Sequence, residues 1–245
     1  MNTKDLINHI KNWIEEYVNS MPKRNDSLVI GISGGIDSSV TSTLCAMTRI
    51  RTVVVSMPIN QIKTQHDLSL KHLNWLKSNF NNVEDHIVNL DLVFKSLKGT
   101  LKKFNNEHGF ANSRARLRMT TLYQIASANN GIVVGTGNKV EDFGVGFYTK
   151  YGDGGVDISP IADCTKTQVW KLGKELNILD EIIKAEPTDG LWDDGRTDIS
   201  QLGLKYNELE EAMMNPNSKN REKYEKIRKL NLHKMESIPV CKIPS

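Results

Sequence analysis

The sequence predicts an α/β protein built on a doubly wound parallel sheet with helices on both faces. Four short runs rich in Val and Ile, "SLVIGI" (27–32), "TVVVSM" (52–57), "DHIVNL" (85–90) and "GIVVGT" (131–136), have the continuous apolar character of parallel strands covered on both sides. Helical patterns over 38–49, 64–80 and 113–129 alternate with them, as successive parallel crossovers require. A turn crowded with glycine and serine closes the first run, and sheets of this kind bind ligands at the carboxyl ends of their strands.

The remaining elements follow in chain order. Leu6, Ile7, Ile10, Trp13, Ile14 and Tyr17 recur at helical spacing and predict an amphipathic opening helix. Residues 94–112 read as a less regular insertion before the third helix. Residues 187–203, "PTDGLWDDGRTDISQLG", combine turn formers and acids with little periodicity, the character of a lid that excludes water once substrates are bound. The tail, through "YNELEEAM" and "SKNREKYEKIRKLNLHK", predicts two charged helices.

The composition sets bounds on function. The chain has 245 residues, 38% hydrophobic and 25% charged, enough for a substantial core in a single domain spanning 1–245. A net charge of +3, spread evenly, argues against nucleic acid or an anionic membrane as partner. The 3 cysteines form no CxxC pair, the N-terminus carries acids where a signal peptide would be basic and then apolar, and no run reaches membrane-spanning length. A cytoplasmic protein is expected.

The stretch "VIGISGGIDSSVTSTLC" (29–45) asks for more than an ordinary turn. A strand that passes directly into a helix leaves unpaired N–H groups at the helix start, and glycines let that backbone approach an anion closely. Ser33, Ser38 and Ser39 add hydroxyl donors, and Asp37 is placed to hold a metal beside phosphates. Neither the dinucleotide fingerprint nor the Walker loop fits the spacing. The pattern resembles the "SGGxDS" pyrophosphate loop of the N-type ATP pyrophosphatases. That resemblance implies ATP contacts from Gly31, Ile32, Ser33, Gly34, Gly35, Ile36, Asp37 and Ser38.

A second block, "VVGTGNKVEDFGVGFYTKYGDGGVDISPIADCTKTQVWKLGKEL" (133–176), follows a buried strand, so Thr136 and Glu141 emerge at the ligand-binding end of the sheet. From there Glu141 could face Asp37 across a Mg²⁺ ion, although read alone it is a surface carboxylate. With the first loop, this block is similar to the ammonia-dependent NAD synthetases, and the similarity runs nearly the whole length of the chain. It implies a Rossmann-like, adenine nucleotide alpha hydrolase-like fold. It further implies ATP contacts from Thr136, Lys166 and Thr188, Mg²⁺ held by Asp37 and Glu141, and deamido-NAD held by Arg116, Lys150, Asp157, His233 and Lys234. Members are homodimers, so a dimer is implied.

In "SRARLR" (113–118), Arg114 and Arg118 share a helix face while Arg116 points elsewhere, and two of the three arginines are expected in solvent. His233 and Lys234 read alone as surface residues. Thr165 and Thr167 suit a helix start. The segment "MPINQIKTQHD" offers no arginine for the adenylate side, and "GTGNKVEDFGVGF" is one residue longer than in some members before the "YTKYGD" block.

The reaction implied is that of a carbon–nitrogen ligase. The pyridine carboxylate of deamido-NAD attacks the α-phosphorus of ATP, pyrophosphate leaves, and ammonia converts the acyl adenylate to NAD with release of AMP. Positioning and charge stabilisation carry such a scheme without a covalent nucleophile, so Cys45 and Cys164 are expected to be inert. Only about 27 residues precede the first strand, leaving no room there for a glutaminase domain, and free ammonia is the expected nitrogen source. Two rivals stand beside this reading: an RNA-modifying adenylating enzyme of the same superfamily, and a nucleotide sensor without turnover. The first calls for paired cysteines or for a basic surface or appended domain, none of which this sequence displays, and the second would not need both Asp37 and Glu141.

Overall fold

A computed structural model describes residues 1–22, 25–192 and 194–244. Four parallel strands, β1 (Ser27–Gly31), β2 (Arg51–Ser56), β3 (Val83–Ile87) and β4 (Gly131–Val134), lie in the order β3-β2-β1-β4. In register, Val29 of β1 stands between Val53 of β2 and Val133 of β4. The sequence-predicted fold and its four strands are borne out.

Strand alternation builds the two layers, because successive side chains leave opposite faces of the sheet. Leu28, Ile30, Val54, Ile132 and Val134 point into a core closed by α1 (Thr3–Ser20), α2 (Ile36–Met47), α3 (Lys63–Asn79) and α6 (Lys166–Glu175). Val29, Val53, Val55 and Val133 point the other way, against Phe94 of α4 (Asp91–Thr100) and Phe110 and Ala126 of α5 (Glu107–Ala128). The chain runs outward from β1 to β3 and then returns to β4 on the opposite side of β1. Right-handed crossovers demand that this return change faces, which is why α5 covers the face that α2 and α3 leave open.

The less regular insertion expected at 94–112 is a correction. Most of it is helical, in α4, a short 3₁₀ turn at Lys102–Phe104 and the first turns of α5. Asn106 starts α5 by accepting the Gly109 amide on its side chain at 2.7 Å. Beyond β4 come a π-helical turn (Val140–Val145), α6, α7 (Asp180–Lys184), α8 (Asp198–Leu202), α9 (Tyr206–Met214) and α10 (Arg221–Met235). A third core of Val140, Val145, Leu202, Tyr206, Leu209 and Tyr224 packs these last pieces together beside the strand ends.

Helix α2 is buried along most of its length, which explains its run of small hydroxyl residues. Thr41, Ser42 and Thr43 bond back to the carbonyls of Asp37 or Ser39 at 2.7–3.1 Å, so their polar groups are satisfied inside the core. Helix α6 approaches it closely at Gly173, where a Cβ would stand 2.6 Å from the Ile36 side chain.

Ile14, with no exposed surface, joins α1 to the α2–α6 layer. Replacing it by Ala is expected to cost about 2–5 kcal/mol, read as a lower urea midpoint at unchanged slope.

Candidate active site

The carboxyl ends of β1 and β4 are adjacent, and there the loops leave in opposite directions. A pocket opens at this switch point. Gly31 to Ser38 form one wall, Val134 to Gly137 with Glu141 a second, and Lys166, Thr188 and Asp198 a third. Every residue expected to touch ATP is therefore on its lining. Gly34 has φ +88, and a Cβ there would lie 2.7 Å from the Gln65 carbonyl oxygen and 2.8 Å from the Ser69 amide nitrogen, so the loop lies directly on the backbone of α3. Ser33 and Ser38 share a hydrogen bond at 3.0 Å within the loop. Ser39, expected as a further donor, is buried and gives its hydroxyl to the Gly35 carbonyl at 2.9 Å.

Deeper in the pocket, three charged side chains from separate segments converge. Lys166 Nζ lies 2.5 Å from Asp37 Oδ2 and 2.9 Å from Glu141 Oε1, with its side chain only 2% exposed. The Asn138 amide donates to Asp37 Oδ1 at 2.9 Å, while its own oxygen accepts the Glu141 amide at 3.2 Å. Tyr206 donates its hydroxyl to Glu141 Oε1, 2.5 Å away, and the Lys166 ammonium sits 4.7 Å from the centre of the Tyr206 ring.

Electrostatics follow from this geometry. Burial alone would raise Glu141, but the Lys166 charge and the Tyr206 hydroxyl hold it below the usual carboxylate range. Burial pushes Asp37 upward, an effect that Lys166 opposes. Burial would likewise lower Lys166, yet the two carboxylates outweigh it and fix the ammonium as a cation. Asp142, next to Glu141 on the pocket wall, is raised well above the carboxylate range by burial and then by the Glu141 charge.

Asp37 and Glu141 suit a divalent ion such as Mg²⁺. They present hard oxygens from the first turn of α2 and from the π-helical turn and converge on a single cation, the Lys166 ammonium. Among the described residues no group of three or more His, Cys, Asp or Glu side chains gathers at metal-binding spacing, so the other ligands would be phosphate oxygens and water.

The residues expected to hold the second substrate divide. Arg116, Lys150, His233 and Lys234 come together beside the pocket: Arg116 Nε donates to the Lys150 carbonyl at 3.4 Å, Lys150 Nζ to the His233 carbonyl at 3.3 Å, and Lys234 Nζ to the Tyr148 carbonyl at 2.8 Å. Burial lowers Lys234. Asp157 has other partners. Its carboxylate accepts the Val133 amide at 2.7 Å and the Tyr123 hydroxyl at 3.0 Å, and it does not line the pocket.

The arginine expectation is corrected. Arg114 is buried, donates to the Leu191 carbonyl at 2.7 Å and stacks 4.8 Å from the Phe94 ring centre. Arg118 lines the pocket and donates from Nε to the Met57 carbonyl at 3.1 Å, with its pKa lowered to about 10 by burial. Of the three, Arg116 is the exposed one.

Several lining residues went unread in the sequence. Met57, Gln61 and Gln65 come from the segment left unassigned; Asn138 and Tyr206 act through the charged cluster. Thr165 is the N-cap of α6 in a reciprocal capping box with Gln168, as its position predicted, and so fixes the backbone that carries Lys166. Burial raises Cys45 to about 12 and Cys164 to about 11, which keeps both as thiols.

The loop expected as a lid, of which Asp193 lies outside the described residues, is pinned in three places. Gln65 donates to Thr188 Oγ1 at 2.8 Å, Arg114 holds the Leu191 carbonyl, and Asp198 Oδ2 lies 2.7 Å from the Tyr206 hydroxyl. Asp198 is 4% exposed and its pKa is raised to about 7 by burial and then by Glu141.

Comparison with known proteins agrees with this geometry. The family model described as NAD synthase matches residues 6–244. The NH₃-dependent NAD⁺ synthetase of Finegoldia magna is 34% identical, over 96% of this chain and 94% of its own. That of Archaeoglobus fulgidus is 33% identical, over 99% and 98%. The structure of NMN synthetase from Francisella tularensis superposes with a TM-score of 0.91 at 29% identity, covering 99% of this chain and 100% of the other.

Asp198 predicts a pH dependence. Its folded pKa of about 7 exceeds the ordinary 3.8, so the folded protein binds this proton more tightly than the unfolded chain, and the stabilisation it gives is lost as pH rises through that interval. Denaturant unfolding of Asp198→Asn should therefore gain on the wild type by at least about 1 kcal/mol between the two ends of the window. Parallel pH profiles for the two proteins would contradict the assignment.

Proposed function

Because the chain belongs to the NAD synthase family, we propose that it uses ATP and ammonia to amidate the pyridine carboxylate of deamido-NAD, giving NAD, AMP and pyrophosphate. The observation that carries this reading is the meeting of the "SGGIDS" loop with Asp37, Glu141 and Lys166 in one pocket at the strand ends. Backbone amides and hydroxyls of residues 31–38 receive the phosphates, and Thr136 and Thr188 flank the nucleotide. Mg²⁺ held by Asp37 and Glu141 would neutralise phosphate charge as pyrophosphate departs. Arg118, a half-buried cation on the pocket wall, suits the carboxylate or the phosphate of the reacting pair.

The carboxylate is a poor electrophile until it carries AMP. Once adenylated, it is attacked by ammonia at the carbonyl carbon; the C–O bond to AMP breaks and the ammonium nitrogen loses a proton. The protein contributes orientation and fixed charge, in keeping with two inert buried thiols. Arg116, Lys150, His233 and Lys234 form the cationic surface for the acceptor's phosphates, and Arg116 and His233 stay exposed, open to completion by a second copy in a homodimer. Free cysteines fit a cytoplasmic enzyme. The relatives reported above are named NAD or NMN synthetases, which gives the RNA-modifying alternative no support.

A second reading has its own observation. The TM-score of 0.91 to an NMN synthetase, over nearly the full length of both chains, favours an acceptor in which the pyridine carboxylate is carried by a mononucleotide. The chemistry at the carboxylate is the same. Only the surface for the second nucleotide differs.

Incubation with ATP, Mg²⁺ and ammonium, with deamido-NAD or nicotinate mononucleotide in parallel, separates the two readings by product and by kcat/KM. Pyrophosphate release with neither acceptor would refute both. Asp37→Asn is expected to lower kcat/KM by about 10²–10³-fold while leaving the circular dichroism spectrum unchanged. Gly34→Ala should weaken ATP binding by at least about tenfold, since the loop cannot keep its seat on α3.

A further inference from the structure

The expectations for Lys166, Asp37 and Glu141 cannot all hold in one arrangement. The ammonium already occupies the space between the two carboxylates, at 2.5 and 2.9 Å, where a divalent ion would have to stand. A dication bound to the same oxygens would lie against a positive charge in a site with little water to screen it. Lys166 would also be unable to reach phosphates while both of its short contacts persist.

We propose that Lys166 is an internal counter-cation that keeps the metal site closed in the free protein, and that a divalent ion enters only with the phosphates that draw the ammonium away. This rests on the reading of Asp37 and Glu141 as metal ligands. The geometry supports the exchange on three counts. Lys166 lines the same pocket as Ser33 to Ser38, so a rotation of its side chain carries the ammonium towards the phosphate loop. Its backbone is fixed by the Thr165 capping box, which confines the movement to the side chain. Glu141 and Asp37 keep other partners, Tyr206 and Asn138, that hold them in place when the ammonium leaves.

The exchange conserves charge sensibly. Two carboxylates and one ammonium carry one net negative charge; replacing the ammonium by a dication makes the cluster neutral, and the released ammonium meets an anion. Free metal gains too little to displace the ammonium when no phosphate is bound to receive it. Metal and polyphosphate should thus bind with strong positive coupling, and metal alone should bind poorly.

Mn²⁺ is the probe, titrated by electron paramagnetic resonance against the free protein, against Lys166→Met and against Lys166→Met combined with Asp37→Asn. Without nucleotide, Lys166→Met should bind Mn²⁺ at least about tenfold more tightly than the wild type, and the double variant should lose that gain. Should Lys166→Met not fold, Lys166→Gln keeps a neutral hydrogen-bonding amide between the carboxylates and serves the same comparison. Equal, Asp37-dependent affinity in the wild type and the lysine variants would overturn the counter-cation role while leaving the metal site intact. No Asp37-dependent binding in any of the proteins, with or without added pyrophosphate, would overturn the metal site and the inference with it.

Discussion

Holding an ammonium between two carboxylates, with almost no water, is the demand around which the strand ends are organised. Each group costs several kcal/mol to desolvate, and the attraction among them offsets that cost only when every remaining lone pair has a partner. Asn138 and Tyr206 supply those partners to Asp37 and Glu141. The contributing residues lie at positions 37, 138, 141, 166 and 206, so the cluster exists only when α2, the segment after β4, α6 and α9 are all in place. A sheet with its switch point between β1 and β4 achieves this, because it brings two outgoing loops together at one spot.

The same demand accounts for the composition of α2. A helix that starts in the phosphate loop and then runs between the sheet and α6 is buried on most of its surface, and bulky side chains along it would force α6 away. Small hydroxyl residues bonded to the helix's own carbonyls let it pass through the core without unsatisfied polar atoms. The serines that made the motif conspicuous in the sequence thus do two jobs. Ser33 and Ser38 shape the loop, whereas Ser39 and Ser42 serve packing.

This division shows what one chain of letters can reveal. The strands were legible because burial on both faces leaves unbroken Val and Ile, and the tight turn after β1 because its positive φ and close backbone approach need glycine. The burial of Arg114 and half-burial of Arg118 were not legible: helical spacing states that they share a face but not that the face looks into the protein, where Phe94, Leu191 and Met57 meet them. Residues 94–112 hid their helices because α4 starts before them, at Asp91, buries only Phe94, and is separated from α5 by the 3₁₀ turn at Lys102–Phe104. Tyr206 and Asn138 carry no local signal, since an ordinary helix-start tyrosine becomes a carboxylate partner only through a contact 65 residues away. Asp157, another motif position, is held by the Val133 amide and the Tyr123 hydroxyl, contacts that its place in the sequence does not announce.

The loop at 187–203 links the pocket's two functions. Thr188 attaches it to α3 behind the phosphate loop, Leu191 to α5 through Arg114, and Asp198 to Tyr206 and so to Glu141. A single phenolic proton cannot serve two ionised carboxylates at 2.5 and 2.7 Å. With Glu141 held below the carboxylate range and Asp198 raised to about 7, the consistent arrangement has Asp198 donating to Tyr206 and Tyr206 donating to Glu141. A proton on the loop's own carboxyl then helps set the orientation of the residue read as a metal ligand. The loop's contact with Tyr206 and the orientation of Glu141 thus belong to one hydrogen-bonded chain, which lets an acidic loop pack beside a pocket already rich in carboxylates.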